Sequence, residues 1–342
     1  MKFAAGMESD LREAAAAVDR QAASLAVPLA ALIGEINRRR PRVVVTCARG
    51  SSAHAATFAK HLFELRLGVP VAAAAPNIAT VYRRRLELKD QLFLAISQSG
   101  RSDDLIETAA MARAAGAITA AIVNDSESPL AKASQIALPL GAGAERSVAA
   151  TKSFVASLAA LLQLTALWTD DPAMRSAHAR LPDRLAQAGS LDWDQAVAAL
   201  TRAENLITIG RGPTLAIARE AALKLKETCE LHAEPFSAAE FRHGPIALLS
   251  TALPILAFNP LDDAAASLTA LIDDLRRKGA HVLVAEPGNP QRDRLPVLPP
   301  DHPDADAICM VQSFYALLVK LAAQRGTDAD RPRHLQKVTR TR

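Results

Sequence analysis

The 342-residue chain predicts an α/β protein: two tandem, doubly wound, flavodoxin-like parallel sheets behind an N-terminal helical segment. Three observations predict it. The length exceeds what one hydrophobic core ordinarily supports, so two domains are expected. A set of short segments recurs at a nearly constant offset. Finally, unbroken apolar runs alternate with amphipathic stretches, the pattern of parallel strands covered by helices on both faces.

The elements follow in order. Met7 to Arg38 reads as a helical preface. Val43-Val44-Val45-Thr46 followed by Arg49-Gly50 reappears as Leu206-Ile207-Thr208-Ile209 followed by Arg211-Gly212, 162 positions on. Leu92 to Ile96 matches Pro254 to Phe258, each an apolar strand ending in a polar turn. Ala114-Ala115-Gly116-Ala117 answers Arg277-Lys278-Gly279-Ala280, an offset of 163, with each glycine leading into a strand. Ile136 to Leu140 pairs with Leu295 to Pro299, short strands before a long apolar helix. Such regularity across four elements marks a duplication, each copy reading strand then helix four times over. The expected organisation is a helical segment over 1–38, a first domain over 39–168, a linker over 169–193, a second domain over 194–330 and a tail over 331–342.

Composition narrows the function. Apolar residues are 50% and charged residues 22%, an ordinary globular balance. The formal charge of +4 is spread thinly, with short clusters at Arg38–Arg40 and Arg83–Arg85, and aromatics are only 4%. That combination argues against nucleic acid as a partner. The apolar stretch Phe154 to Trp168 is too short to span a bilayer, so no membrane is expected. Cys47, Cys229 and Cys309 lack disulfide or zinc spacing and read as free thiols of a reducing cytoplasm. His54 with His61, and His232 with His243, give no recognised metal spacing. No metal and no cofactor are expected.

One loop predicts an anion site. After Leu92 to Ile96 comes Ser97-Gln98-Ser99-Gly100-Arg101-Ser102, and a helix starts near Asp103. Hydroxyls, an amide and the free N–H groups of a helix start converge there, which suits a phosphate monoester. The competing account is a Ser-rich turn with Ser102 as a plain helix cap. No lysine-bearing nucleotide loop and no G-x-G-x-x-G is present. The second copy carries Asn259-Pro260-Leu261-Asp262-Asp263 at the matching turn, so only the first copy should hold phosphate. Gly50-Ser51-Ser52, and Val148-Ala149-Ala150-Thr151, are expected to close the sugar pocket.

The second copy holds the densest ionisable constellation. Glu220, Lys224 and Glu227 fall at i, i+4 and i+7 on one helix face. Spacing alone favours a solvated stripe with one ion pair worth a few tenths of a kcal/mol. The next segment, His232 through Glu234, Glu240, Arg242 and His243 to Pro245, crowds ionisable groups into what reads as a functional loop.

The segments SQSGRSDDL, ERSVAATKSF, REAALKLKETCELHAEPFSAAEFRHGP and RPRHLQKVT resemble the sugar-isomerase (SIS) half of glucosamine-6-phosphate synthase. They are similar, more closely still, to the stand-alone SIS-type glucosamine-6-phosphate deaminases. The resemblance runs from the MESDLREA preface to the tail. It implies that Glu227 transfers the proton, with Glu220 and Lys224 in support, and that His243 opens the sugar ring from a neighbouring subunit of a homodimer. It implies that Lys337 can form an imine with the open ketose. It places Ser52, Ser97, Gln98, Ser99 and Ser102 on the sugar phosphate, with Val148 and Ala150 as pocket wall. Two departures stand out: Arg101-Ser102 replaces an acidic residue and Thr, and Ala150 replaces Ser. No glutaminase segment and no Cys after Met1 are seen, the nucleophile a synthase uses to free ammonia. The implied direction is therefore release of ammonia from glucosamine 6-phosphate. Deglycation of a fructosamine 6-phosphate, plain aldose–ketose isomerisation and a non-catalytic sugar-phosphate sensor are the alternatives.

Overall fold

The computed structural model describes residues 4–250, 253–289 and 291–337. It divides into two compact units, one gathering Ala16–Ala144, Lys152–His178 and Gln336–Arg342, the other Met1–Ala15, Glu145–Thr151 and Ala179–Leu335. The helical preface, α1 (Ala5–Arg39), contributes to both. So does the first copy's sequence, because 145–151 belongs with the second sheet.

The first sheet runs β1 (Val44–Ala48), α2 (Gly50–Leu67), β2 (Val71–Ala73), α3 (Asn77–Thr80), β3 (Leu92–Ser97), α4 (Asp103–Ala114), β4 (Ile118–Val123), α5 (Pro129–Ala133), β5 (Ile136–Pro139) and α6 (Lys152–Trp168). All its strands are parallel, in the order β2-β1-β3-β4-β5. Every residue of β3 and β4 is buried, which is why these strands are apolar without alternation. On one face Phe93, Ala95, Ala121 and Val123 pack with Leu105 and Ala109 of α4 and Leu130 of α5. The apolar stretch Phe154 to Trp168 lies in α6, buried along most of its length.

Two further helices follow, α7 (Pro172–Ala188) and α8 (Asp194–Leu200). The second sheet then runs β6 (Asn205–Gly210), α9 (Thr214–Cys229), β7 (His232–Ser237), α10 (Ala238–Arg242), β8 (Ile255–Phe258), α11 (Ala265–Arg277), β9 (Val282–Ala285), β10 (Arg294–Leu295) and α12 (Pro303–Arg325). The order β10-β9-β8-β6-β7, again all parallel, repeats the first sheet's winding strand for strand. Apolar side chains of β8 and β9 pack on Leu268, Leu271 and Leu275 of α11. By length and hydropathy α1 and α12 could cross a bilayer, but 83% of α12's apolar window is buried within the protein.

Two expectations are corrected. Each copy has five strands rather than four. The extra ones, β2 and β7, are edge strands, with one buried residue in each, so neither carries an unbroken apolar run. Consequently His232–Ser237 is a strand rather than a loop. Pro235 pairs opposite Thr208, and an edge position tolerates a residue that cannot donate to a ladder.

Candidate active site

The flavodoxin-like order reverses between β1 and β3, and ligands of such sheets bind beyond the strands' carboxyl ends at that reversal. Ser51 and Ser52 lie in the first turn of α2 after β1, and Ser97 to Ser102 bridge β3 to α4. The structure therefore brings these predicted residues together, at two neighbouring strand ends. Ser97 Oγ accepts from Gly100 N at 3.1 Å and Ser99 Oγ from Arg101 N at 3.3 Å. Each hydroxyl accepts within the loop, and a serine hydroxyl that accepts still carries a proton it can donate. Ser102 occupies the cap position of α4, where its carbonyl accepts from Leu105 N and Ile106 N at 3.1 Å and its side chain makes no capping bond. Gly100 has φ +62°, and an added Cβ would lie 2.2 Å from Ser128 Oγ; only glycine permits this tight path. Arg49 of the β1–α2 junction donates twice to the buried Asp104 of α4, at 3.0 and 2.8 Å, and ties the loop's two borders. Arg101 turns aside to pair with Asp125.

At the second copy's matching turn, Asn259 Nδ2 donates to Thr269 Oγ1 at 3.2 Å and Glu286 Oε2 at 3.1 Å. Glu286 also pairs with Arg294. That turn is internally paired and acidic, and offers no hydroxyl cluster.

The second unit holds a buried ionic array on α9. Glu220 and Lys224 are essentially without solvent exposure, while the Glu227 side chain is 20% exposed. The solvated stripe is thus overturned: α12 packs over this face of the helix and removes it from water. Lys224 Nζ lies 2.5 Å from Glu227 Oε2 and 3.6 Å from Glu220 Oε1. Tyr315 of α12, fully buried, donates its hydroxyl to Glu220 Oε1 at 3.0 Å. Burial alone would pull the Lys224 ammonium down, but Glu220, Glu227 and Glu145 outweigh it and hold it above its ordinary value. Burial first, then Glu220, pushes the Tyr315 phenol well upward, so it stays a donor. The closeness of α9 to its strand needs Gly210, where a Cβ would meet Thr214 O at 2.3 Å.

Glu145 belongs to the 145–151 loop, which carries the predicted wall residues Val148 and Ala150. That loop is pinned from several sides. The buried Asp10 of α1 accepts from Arg146 N at 2.8 Å and Ser147 N at 3.1 Å. Asp330 O accepts from Val148 N at 3.0 Å, and Glu145 Oε1 from Thr151 N at 2.9 Å. The Asp330 carboxylate meanwhile caps α1 through Gly6 N and Met7 N, both at 2.8 Å. Sequence reasoning missed Tyr315, Glu145, Asp10 and Asp330. A lone tyrosine in the long apolar run of α12 was the one available signal, since a buried phenol needs a partner.

His243 is exposed at the end of α10, before Gly244 at φ +126°. With Leu215, Arg219, Phe236, Ser237 and Glu240 it lines a cavity of about 350 Å³. Glu220, Lys224 and Glu227 are not in that lining. Arg219 and Glu227 are eight residues apart on α9, about 12 Å along the axis. Lys337 is half-buried at the end of the described residues, in the unit of the first sheet. The three thiols are buried, and burial pushes Cys47 and Cys309 up to about 12 and Cys229 to about 11, far from nucleophilic use.

Comparison with known proteins agrees with this architecture. The SIS domain family matches residues 38–167 and 199–285. A glutamine–fructose-6-phosphate aminotransferase (isomerizing) from Symbiobacterium thermophilum is 35% identical over 322 residues, 89% of this chain and 52% of that protein. The chain thus spans about half the length of the curated relatives it matches. A candidate phosphosugar isomerase from Silicibacter pomeroyi DSS-3 superposes with a TM-score of 0.91 at 40% identity, covering 95% of this chain and 99% of the other. The C-terminal domain of glucosamine-fructose-6-phosphate aminotransferase from Francisella tularensis gives 0.80 at 26% identity, over 96% and 98%.

Proposed function

This chain belongs to the SIS domain family and is homologous to the C-terminal half of glucosamine-fructose-6-phosphate aminotransferase, and from that premise we propose that it is a phosphosugar aldose–ketose isomerase whose substrate is an amino-sugar phosphate, released as ammonia and fructose 6-phosphate. The observation that carries this is the buried Glu220–Lys224–Glu227 array, of which Glu227 is the end nearest solvent. A carboxylate so placed can move a proton between adjacent carbons, help worth roughly 10²–10⁴-fold. Glu220, Glu227 and Glu145 all act on the buried Lys224 ammonium.

In this reading Ser97, Gln98, Ser99 and Ser102, with Ser51 and Ser52, bind the phosphate. Glu227 takes a proton from C2 of the opened sugar and returns it to C1, turning the aldose amine into a ketose imine. Water adds to the imine carbon, and ammonia leaves. Lys337 condenses reversibly with the C2 carbonyl of the open ketose, expelling water, and water hydrolyses that imine back to free ketose and amine. His243 moves the ring-opening proton between O5 and O1; its separate cavity supports service to a second copy in a homodimer. No cofactor takes part.

Glu227→Gln is expected to abolish ammonia release from glucosamine 6-phosphate while phosphosugar binding, followed by calorimetry, survives. Undiminished turnover in that variant refutes the role of Glu227. The likeness to a candidate phosphosugar isomerase at 40% identity favours a second reading, isomerisation without loss of ammonia. Ketose formed from a neutral aldose phosphate, with no ammonia from the amino sugar, would establish it instead.

A further inference from the structure

Within the buried array Tyr315 is the group to which the proton transfer above gives no task. Glu220 Oε1 accepts the Tyr315 hydroxyl at 3.0 Å, and the same oxygen stands 3.6 Å from Lys224 Nζ. The ammonium instead lies 2.5 Å from Glu227. The phenol and the ammonium thus face one oxygen of Glu220, so the hydroxyl holds the carboxylate beside which Lys224 sits.

We propose that Tyr315 is a positioning residue: its hydroxyl fixes the Glu220 carboxylate and, through it, the Lys224 ammonium beside Glu227. The inference rests on Glu227 as the proton-transfer base. The groups acting on Lys224 are Glu220 and Glu227 from its own helix and Glu145 from the 145–151 loop, with Tyr315 facing them from α12. Burial keeps the phenol protonated, so it donates throughout the working pH range. Without that hydroxyl the Glu220 carboxylate can turn, the Lys224 ammonium loses its fixed place beside Glu227, and proton transfer slows with no change at the phosphate loop.

The test has two arms. The chain has two tyrosines, Tyr82 and Tyr315, so subtracting the ultraviolet titration of Tyr315→Phe from that of the wild type isolates the buried phenol. In Glu220→Gln its ionisation is expected to fall by about one pH unit or more, because a neighbouring negative charge is lost; an unmoved titration overturns the proposal. In the kinetic arm, Tyr315→Phe is expected to lower kcat about tenfold, as loss of a hydrogen bond to a charged group does. KM for glucosamine 6-phosphate stays within about twofold. A variant that melts earlier but keeps its kcat shows mere packing, and refutes the positioning role. Should Tyr315→Phe fail to fold, the same loss of kcat at near-constant KM is sought in Glu220→Ala, which removes the acceptor instead; an unchanged kcat there is equally fatal. A wild type that turns over no phosphosugar overturns the premise, and is told apart from these failures because the titration is read without substrate.

Discussion

Replacing Lys224 by Met tests whether the array is held by charge. Methionine fills the space of the lysine stem, so the change removes the ammonium and little packing. Glu220, with no solvent exposure, then keeps a buried carboxylate that has lost its ammonium and still accepts from the Tyr315 hydroxyl. Breaking a buried pair on one side costs about 3–5 kcal/mol. At roughly 2–4 °C per kcal/mol for a large domain, the melting temperature of that unit falls by about 6–20 °C. Adding Glu220→Gln should restore most of the loss, since the amide oxygen still accepts from Tyr315 while the buried charge is gone. The double-mutant coupling is therefore expected at about 2 kcal/mol or more. The pH dependence has a definite sign. Lys224 is raised above its ordinary value of 10.5, so its contribution is fully present below that pH and is lost as pH climbs through the folded value. Urea melts from pH 7 to 11, followed by circular dichroism, should show a constant gap between wild type and Lys224→Met up to about pH 10 and a narrowing one beyond. A gap of zero at neutral pH, or a second substitution that deepens the loss, would refute the reasoning.

Two further outcomes are expected. Ser99→Asp places a like charge where the phosphate is proposed to sit and should raise KM by about tenfold or more even after screening; an unchanged KM in steady-state assays would put the phosphate elsewhere. His178 is buried, its Nε2 lacks a partner among the described residues, and burial pulls it from 6.5 to about 4. The unfolded chain therefore binds a proton that the folded chain refuses, and stability should fall between pH 6.5 and 4 by on the order of 3 kcal/mol. His178→Leu should flatten that slope in denaturant melts; an equally steep variant would assign the acid sensitivity to other groups.

Local pattern was enough for much of this protein. Apolar runs such as Leu92 to Ile96, ending in polar turns, fit strands covered on both faces, and the recurrence of four segments at a nearly constant spacing marks two copies of one winding. The hydroxyl-rich turn after Ile96 was legible for a similar reason: strand, turn and helix start are contiguous in the chain, so their geometry is set by neighbours. Edge strands escaped, because β2 and β7 are only partly buried and keep mixed composition. The environment of Glu220 and Lys224 escaped too. On α9 alone their spacing is that of a solvated stripe, and burial comes from α12, some ninety residues away, whose Tyr315 supplies the missing donor. Likewise Asp10, Glu145 and Asp330 look like ordinary surface acids until the fold directs backbone N–H groups at them. Sequence determines which segments must be strand, helix and anion-binding turn, since those depend on short-range sterics and on apolar area seeking cover. Which carboxylates lose their water, and what they touch in exchange, depends on contacts between distant segments, and only the tertiary structure decides it.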